Sequence, residues 1–310
     1  MASILSFGHY VPERILGNDE LARKLGCDAA WIIESSGIEE RRIASEEETV
    51  TVLAERAARD CIGRAGVPIT QVGLVILSSG TPERRFPGPA SQLAHRLGLA
   101  SVPAIDLPIA SAGSLFGIAL AAQLAATYDT VLIVAAEKMS APALSEPLDR
   151  NVAILFGDGA GACLVTSAPG EFEIIDSVLH SDGSYAEQLR LEESGPVRMD
   201  GRSVILQASR RVPAAIGEVL ERQGVDIATV RAFLMHQANR NLTDRVAKSL
   251  GVPAGLFFSN IHRYGNTSSA SLLIAASEWW KEATLQKGDV VCFAAFGAGF
   301  HWGSLIARKS

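Results

Sequence analysis

The chain has 310 residues, of which 48% are apolar and 20% are charged, and this composition excludes a disordered or low-complexity protein. Its 28 basic and 34 acidic side chains give a formal net charge of −6 and a pI of about 5.6, which argues against a dedicated nucleic-acid-binding protein. The length suits one large domain or two of about 150 residues each.

The sequence shows no signal for a membrane or for secretion. No apolar run reaches the roughly 18 residues that a membrane-spanning helix needs, and the first residues lack the basic start and apolar stretch of a signal peptide. The four cysteines, Cys27, Cys61, Cys163 and Cys292, are far apart and form no Cys-x-x-Cys pair. We therefore expect a protein of the reducing cytoplasm, without a disulfide framework, a zinc site or a membrane partner.

Apolar runs and helically spaced segments alternate along the chain. In chain order, the pattern predicts a helix at 49–65, a strand at 72–77, a helix at 114–127, a strand at 130–136, a helix at 209–222, a strand at 232–235, helices at 240–250 and 268–282, and a strand at 289–295. Continuous β-rich runs suit strands that are covered on both faces, and strands alternating with helices are typical of an α/β fold.

The elements recur in the same order in the two halves of the chain. Each half has a strand, a polar loop, a helix and two further strands; the first strand and the loop lie at residues 72–77 and 109–115, and again at 232–235 and 264–270. We therefore expect two related units, residues 1–168 and 169–310. Related units would bring equivalent loops together across a pseudo-twofold axis, where Ser111, His236 and Asn266 could meet.

Ser111 lies between an expected strand and an expected helix, in the sequence Ala110-Ser-Ala-Gly113. A residue at a helix N-terminus faces free N–H groups and the positive end of the helix dipole, a setting that favours a nucleophile or its acyl oxyanion. The alternative is an N-cap serine with no chemical role.

His236 and Asn266 also follow or precede predicted elements. His236 ends an apolar strand, a position that suits a general base, and the alternative is a hydrogen-bonded core histidine. Asn266 follows Gly265, and such a pair is also common in simple turns.

Two glycine-rich stretches suggest different interpretations. The small residues of Phe296–Phe300 would let backbone N–H groups approach a ligand closely, and a tight turn is the alternative. Residues 157–162 lack the spacing of a dinucleotide-binding fingerprint, so no nucleotide site is predicted there. The histidines other than His236 show no metal-ligand spacing, and no metal site is predicted.

Together these stretches make the chain resemble β-ketoacyl-acyl-carrier-protein synthase III, a thiolase-fold condensing enzyme, over essentially its whole length. The resemblance is carried by Trp31-Ile32 with Gly37–Arg41, Phe156–Ala162, His180–Ser184, His236–Asn239, Gly265–Ser268, and Phe296–Phe300 with Trp302-Gly303. It implies a thiolase-like fold of two pseudo-repeated βαβαβαββ halves, arranged in α-β-α-β-α layers.

The resemblance implies acyl transfer from acyl-CoA, followed by condensation with malonyl-acyl carrier protein in fatty-acid or polyketide initiation, with no permanently bound cofactor. In the family a cysteine carries the acyl group, and a histidine and an asparagine, here His236 and Asn266, stabilise the enolate that forms on decarboxylation. The backbone N–H groups of Ser111 and Ala298 would form the oxyanion hole.

The main departure from the family is Ser111, which stands in the place of the nucleophilic cysteine. A serine hydroxyl needs a general base to attack, whereas a thiol ionises more readily. Two explanations remain open: a natural serine variant that selects or transfers starter units, or a substitution introduced to trap a substrate. A starter-unit acyltransferase without condensation, a thioester hydrolase and a non-catalytic partner subunit are the alternative functions.

The resemblance also assigns binding residues. Trp31 and Arg150 match residues that hold the adenine and phosphate of CoA, and Ala238 and Asn239 match the pantetheine contact. Phe86 matches a phenylalanine that reaches across a homodimer into the partner's acyl pocket, with ordinary core as the alternative.

A basic patch near the tunnel mouth would attract the acidic acyl carrier protein. Its candidate residues on two predicted helices are Arg210, Arg211, Arg240, Arg245 and Lys248. The alternative is a solvated helix face.

Overall fold

A computed structural model describes residues 2–192 and 195–310 of the chain. The strands of the first half are β1 (Ser3–Tyr10), β2 (Ile15–Gly17), β3 (Glu40–Arg42), β4 (Leu74–Ser78), β5 (Ala104–Leu107), β6 (Thr130–Lys138) and β7 (Asp158–Thr166). Its helices are α1 (Asn18–Leu25), α2 (Ala29–Ser36), α3 (Val50–Ala65), α4 (Pro89–Arg96), α5 (Gly113–Tyr128), α6 (Ser140–Ala143) and α7 (Arg150–Ala153).

The second half contains an equivalent series of elements. Its strands are β8 (Phe172–Ser181), β9 (Leu189–Arg190), β10 (Arg198–Met199), β11 (Val230–Met235), β12 (Phe257–Phe258), β13 (Val290–Gly297) and β14 (His301–Lys309). Its helices are α8 (Gly201–Arg222), α9 (Arg240–Leu250), α10 (Ile261–Tyr264) and α11 (Ser271–Glu282).

The strand order confirms the predicted repeat. Read from its outer edge, the first half of the main sheet runs β5-β4-β6-β7-β1, and the second half runs β12-β11-β13-β14-β8. In both halves this is the third, second, fourth, fifth and first strand in chain order. The halves join through a short pairing of β1 with β8, at Ser3 with Glu173 and Ile4 with Phe172. The predicted boundary at residue 168 lies in the turn between β7 and β8, and it remains a prediction.

Helices α5 and α11 form a central layer between the two halves of the sheet, and both contact strands of each half. Because α5 is covered on opposite sides, its sequence GSLFGIALAAQLAATY is apolar nearly all round rather than amphipathic. Helices α3 and α4 pack on the outer face of the first half, and α8 and α9 pack on that of the second. The α-β-α-β-α layering predicted from the resemblance is thereby confirmed.

Some predicted boundaries were wrong. Helix α8 begins at Gly201 rather than at residue 209, because the Asp200 carboxylate caps it by accepting from the Ser203 N–H at 3.0 Å. The helix predicted from residue 268 begins at Ser271, after a 3-10 turn. The glycine-rich stretch that was rejected as a nucleotide site forms the start of β7, where a Cβ atom at Gly161 would overlap Leu273 of α11.

Candidate active site

Ser111 occupies a strained position two residues before α5. Its φ is +64°, in the left-handed region that non-glycine residues rarely adopt, and its side chain is buried. The loop around it is tightly packed. A Cβ atom at Gly297 would overlap the Ala110 carbonyl oxygen, and one at Gly113 would overlap the Ser78 hydroxyl. The surrounding backbone therefore holds Ser111 at the N-terminal end of α5.

The N-cap interpretation of Ser111 is wrong. Ala112 is the residue at the N-cap of α5, and no side chain caps that helix. Ser111 instead donates its backbone N–H to the Ser268 hydroxyl at 3.0 Å, and the two hydroxyl oxygens are 3.5 Å apart. The side chain is thus left to a role other than helix capping, beside the positive end of the α5 dipole.

His236 directly follows β11, and its backbone N–H still pairs with the Ala294 carbonyl oxygen of β13 at 2.9 Å. Its Nδ1 atom lies 2.6 Å from the Ser271 hydroxyl oxygen. Burial lowers the pKa of His236 to about 4, which a hydrogen bond with the Ser268 backbone opposes only in part. The imidazole is therefore neutral near pH 7.

Asn266 is held in place by hydrogen bonds of both its backbone N–H group and its backbone carbonyl group. Its N–H donates to the Leu155 carbonyl at 2.8 Å, and its carbonyl accepts from the Gly157 N–H at 3.1 Å. The Oδ1 atom accepts from the Ser268 N–H at 2.8 Å, an Asx turn that agrees with the turn-former interpretation. With Oδ1 occupied, the amide offers the donor Nδ2 to a ligand.

One narrow cavity connects these three loops. Ser111, His236 and Asn266 line it together with Ala238 and Asn239, and its volume is about 70 Å³. Its remaining wall is mostly apolar and is contributed by Leu155, Phe156, Leu189, Met199, Val204, Ile205, Leu242 and Phe296. The cavity thus combines a hydroxyl, an imidazole and a carboxamide within a largely apolar setting.

Trp31 and Arg150 face each other, with the Arg150 guanidinium carbon 5.2 Å from the centre of the indole ring. The helix that carries Trp31 borders the cavity, because the Asn239 side chain donates to the Ser35 carbonyl at 2.9 Å. Of the four predicted CoA and pantetheine contacts, Ala238 and Asn239 line the cavity, whereas Trp31 and Arg150 pair with each other outside its lining.

The remaining predicted residues lie at or near the surface. Ala298 is half-buried in the turn after β13, and it directly follows Gly297, which lies against Ser111. Phe86 is 85% exposed, so the interpretation of this residue as ordinary core is wrong.

The predicted basic patch divides into two kinds of residue. Arg210, Arg240, Arg245 and Lys248 are exposed on α8 and α9, the helices whose N-terminal parts line the cavity. Arg211 instead bonds to Asp182 at 2.9 Å, and its guanidinium carbon lies 4.2 Å from the centre of the Trp302 ring.

Sequence reasoning missed a buried carboxylate behind the site. Glu137 at the end of β6 accepts from Thr81 Oγ1 at 2.8 Å, the Gly80 N–H at 3.0 Å and Ser269 Oγ at 2.7 Å. Burial raises the pKa of Glu137, and these donors oppose the shift. Glu137 thereby ties the loop after β4 to the turn that follows Asn266.

The described residues contain neither a cluster of metal-ligating side chains nor a membrane-spanning helix. Within residues 2–192 and 195–310, no group of three or more His, Cys, Asp or Glu side chains is arranged to hold a metal ion. In the same residues, no helix combines the length and apolarity needed to cross a bilayer.

Comparison with known proteins places the chain in one family. The family model described as 3-oxoacyl-[acyl-carrier-protein (ACP)] synthase III matches residues 105–183, and its C-terminal counterpart matches residues 220–309. β-Ketoacyl-[acyl-carrier-protein] synthase III of Aquifex aeolicus is 35% identical over 307 residues, which cover 98% of each chain. The protein of the same name from Listeria welshimeri is 37% identical over 309 residues, covering 99% of this chain and 98% of the relative.

Solved structures agree with this assignment. The crystal structure of the Aquifex aeolicus protein matches with a TM-score of 0.94 over the whole of both chains. The priming β-ketosynthase of a polyketide biosynthetic pathway matches with a TM-score of 0.91 at 30% identity, covering 100% of this chain and 96% of that one. The chain therefore belongs to the β-ketoacyl-[acyl-carrier-protein] synthase III family of condensing acyltransferases.

Proposed function

We propose that this chain transfers an acyl group from acyl-CoA to Ser111 and condenses it with malonyl-acyl carrier protein through His236 and Asn266. The observation that carries the proposal is the convergence of these three side chains, from both halves of the repeat, on one narrow cavity. Family membership supports the choice of acyl-CoA and carrier protein as substrates.

In the first step, Ser111 Oγ attacks the thioester carbonyl carbon, the carbon–sulfur bond breaks, and the hydroxyl proton leaves with the CoA thiol. The backbone N–H groups of Ser111 and Ala298 are the proposed donors to the oxyanion. Because the Ser111 N–H is bonded to Ser268 Oγ, the substrate oxygen must displace or share that hydroxyl.

In the second step, the malonyl carbon–carbon bond breaks and carbon dioxide leaves. The electron pair moves onto the thioester oxygen, where the Asn266 Nδ2–H and a His236 N–H stabilise the enolate. The enolate carbon then attacks the acyl ester and a carbon–carbon bond forms. The bond between the acyl carbon and Ser111 Oγ breaks, and the departing oxygen takes a proton from solvent to restore the hydroxyl. Neutral donors suit this step, because they stabilise developing negative charge without giving up a proton.

The second candidate is a starter-unit acyltransferase that loads Ser111 without condensation, and the oxygen nucleophile itself favours it. A thioester hydrolase has less support, since a Ser-His pair needs a carboxylate behind the imidazole. Among the described residues, the nearest hydrogen-bond partner of the His236 ring is the Ser271 hydroxyl rather than a carboxylate.

The binding surfaces complete the proposal. Trp31 and Arg150 hold the nucleotide of CoA, Ala238 and Asn239 contact the pantetheine, and the exposed basic residues of α8 and α9 receive the carrier protein. A second copy of the chain covers Phe86, Ile105 on the edge strand β5 and Leu120 on α5, all large apolar side chains that are exposed in the single chain. The cytoplasmic location expected from the sequence remains a prediction.

The proposal is tested by incubating the protein with acyl-CoA and malonyl-acyl carrier protein and following the products by mass spectrometry. We expect an acyl ester on Ser111, release of carbon dioxide and formation of β-ketoacyl-carrier protein. Ser111→Ala is the control for the site of acylation. An ester without a condensation product would support the starter-unit acyltransferase, and free acid in place of both would support the hydrolase.

A further inference from the structure

Arg41 on β3 has no role in the steps proposed above, although it ends one of the stretches that carry the resemblance to the family. It is 0% exposed, and it is the largest fully buried side chain among the described residues. It does not line the cavity that holds the reacting groups. A buried cation costs free energy unless its surroundings compensate the charge, so its partners indicate what it does there.

The hydrogen-bond partners of the Arg41 guanidinium are all neutral oxygens. Its Nη1 atom donates to the Leu16 carbonyl at 3.2 Å and to Asn18 Oδ1 at 2.7 Å, and its Nη2 atom donates to the Ile154 carbonyl at 2.8 Å. Its Nε atom has no hydrogen-bond partner in the part of the chain that the structure describes. The side chain therefore joins the end of β2 and the start of α1 to residue 154, which is distant in sequence.

Arg41 keeps its charge near pH 7 without an ion pair. Burial lowers the pKa of Arg41 to about 10, and the Glu40 carboxylate opposes this shift only in part. Glu40 pairs with Arg42 at 3.4 Å, and none of the ion pairs within residues 2–192 and 195–310 includes Arg41. The charge is therefore compensated by the oxygens of the segments that Arg41 joins, and these segments must stay in place to do so.

The aliphatic part of Arg41 packs against the backbone on both sides of the Asn266 pairing. A Cβ atom at Gly265 would lie 3.3 Å from Arg41 Cβ, and a Cβ atom at Gly157 would lie 2.9 Å from it. Gly265 precedes Asn266, and the Gly157 N–H donates to the Asn266 carbonyl at 3.1 Å. Both glycines leave room for the Arg41 side chain, which thus supports the turn from which Asn266 projects.

The guanidinium holds the same backbone from its other end. The Ile154 carbonyl accepts from Arg41, and the carbonyl of the next residue, Leu155, accepts the Asn266 N–H at 2.8 Å. Phe156 and Asn266 form an isolated parallel bridge between these two segments. Residues 154–157 therefore connect Arg41 with both backbone hydrogen bonds of Asn266.

We propose that Arg41 is a positioning residue that fixes the backbone around Asn266, so that the amide donor of Asn266 faces the enolate during decarboxylation. This inference rests on the proposed function, because it concerns the step assigned to Asn266. Arginine suits the role since its planar fork bonds in fixed directions, whereas lysine carries a point charge on a flexible stem. Displacement of a reacting group by about 1 Å can lower a rate about 10²-fold, so a residue outside the cavity can control the step.

Kinetics of the two steps test the proposal. Arg41→Gln should lower kcat for decarboxylation of malonyl-acyl carrier protein by on the order of 10- to 10²-fold, with KM nearly unchanged. Acylation of Ser111 should stay within about twofold, because none of the Arg41 contacts involves that loop. Arg41→Lys, which can still reach a carbonyl, should recover part of the loss. Arg59→Gln is the matched control, because the Arg59 side chain bonds to Glu55 and Arg96 on the outer helices instead.

A double-mutant cycle separates positioning of Asn266 from a general loss of structure. In the Asn266→Ala protein the group that Arg41 positions is absent, so adding Arg41→Gln should lower decarboxylation by less than about twofold further. Circular dichroism and urea unfolding show whether each variant is folded. If Arg41→Gln does not fold, Arg41→Lys takes its place in the same cycle.

Losses that add in the cycle, or equal losses of decarboxylation and acylation, would overturn the inference. Failure of the proposed function gives a different result, because Asn266→Ala would then leave decarboxylation unchanged and the inference would fall with it. If Asn266→Ala lowers decarboxylation but Arg41→Gln and Arg41→Lys do not, the inference alone fails.

Discussion

The loops that precede the two central helices are equivalent in the repeat, yet their chemistry differs. Each holds a serine in the left-handed region, Ser111 with φ +64° before α5 and Ser268 with φ +47° before α11. The two serines meet at the interface of the halves, where the Ser111 N–H donates to Ser268 Oγ. The repeat therefore supplies a serine with a positive φ twice, and the hydroxyl oxygens of the two serines lie 3.5 Å apart.

The two loops differ in how completely their polar side chains are hydrogen-bonded to the rest of the protein. The loop before α11 is held by Glu137 through Ser269, and Ser271 contacts His236, so the donors of the site are fixed before substrate arrives. The hydroxyl of Ser111 has one close polar neighbour, Ser268 Oγ at 3.5 Å, and no carboxylate or imidazole among the described residues is hydrogen-bonded to it. Under the proposed function, the groups assigned to decarboxylation are therefore preorganised, whereas the Ser111 hydroxyl lacks a group that would activate it.

The largest expected effect comes from placing a thiol at residue 111, in the loop before α5, where the hydroxyl has no activating partner. Ser111→Cys should raise the rate of acyl transfer by on the order of 10²- to 10⁴-fold, the range that a missing general base represents, because a thiolate attacks without one. Stopped-flow release of CoA measures the rate, and Ser114→Cys, a buried position on α5, is the control. An unchanged or lower rate would show that Ser111 already has an effective base.

Asn266→Ala tests the loop before α11, whose groups are assigned to decarboxylation. Loss of one donor to the enolate should lower decarboxylation of malonyl-acyl carrier protein by on the order of 10²- to 10³-fold. Acylation of Ser111 should change little, since that step uses the other loop. Carbon dioxide release is the measurement, and Asn241→Ala on the exposed face of α9 is the control. Equal losses in both steps would mean that Asn266 supports the whole cavity rather than one step.

These two loops also show what the sequence could and could not predict. The buried strands, both central helices and the meeting of Ser111, His236 and Asn266 followed from apolar periodicity and from the repeat. The contact of Ser269 with Glu137 joins positions 132 residues apart, and no local pattern encodes such a pairing. Ser271 was also missed, because a serine at the start of a helix has no distinctive spacing relative to a histidine 35 residues away.

The buried imidazole predicts a pH dependence of stability. The pKa of His236 is about 4 in the folded chain, below the ordinary value of 6.5, so the unfolded chain binds the proton first as the pH falls. The free energy of unfolding should therefore fall by about 3 kcal/mol between pH 7 and pH 4 on account of this group. Urea unfolding of His236→Gln should lack this part of the pH dependence, whereas His95→Gln, at an exposed position, should retain it.

The smallest expected effect concerns the nucleotide rather than the reacting groups. Trp31→Ala removes the stacking partner of Arg150 and should raise KM for acyl-CoA about tenfold, which corresponds to about 1.4 kcal/mol for a partly exposed cation–π contact. Acyl-pantetheine lacks the nucleotide, so its KM should not change. Trp302→Ala on β14 is the matched control, because it removes one of the two aromatic partners of Arg211. Because the reacting groups of the proposed function line the cavity and Trp31 does not, Trp31→Ala should leave kcat unaltered. A fall in kcat with both substrates would place Trp31 within the reacting part of the site.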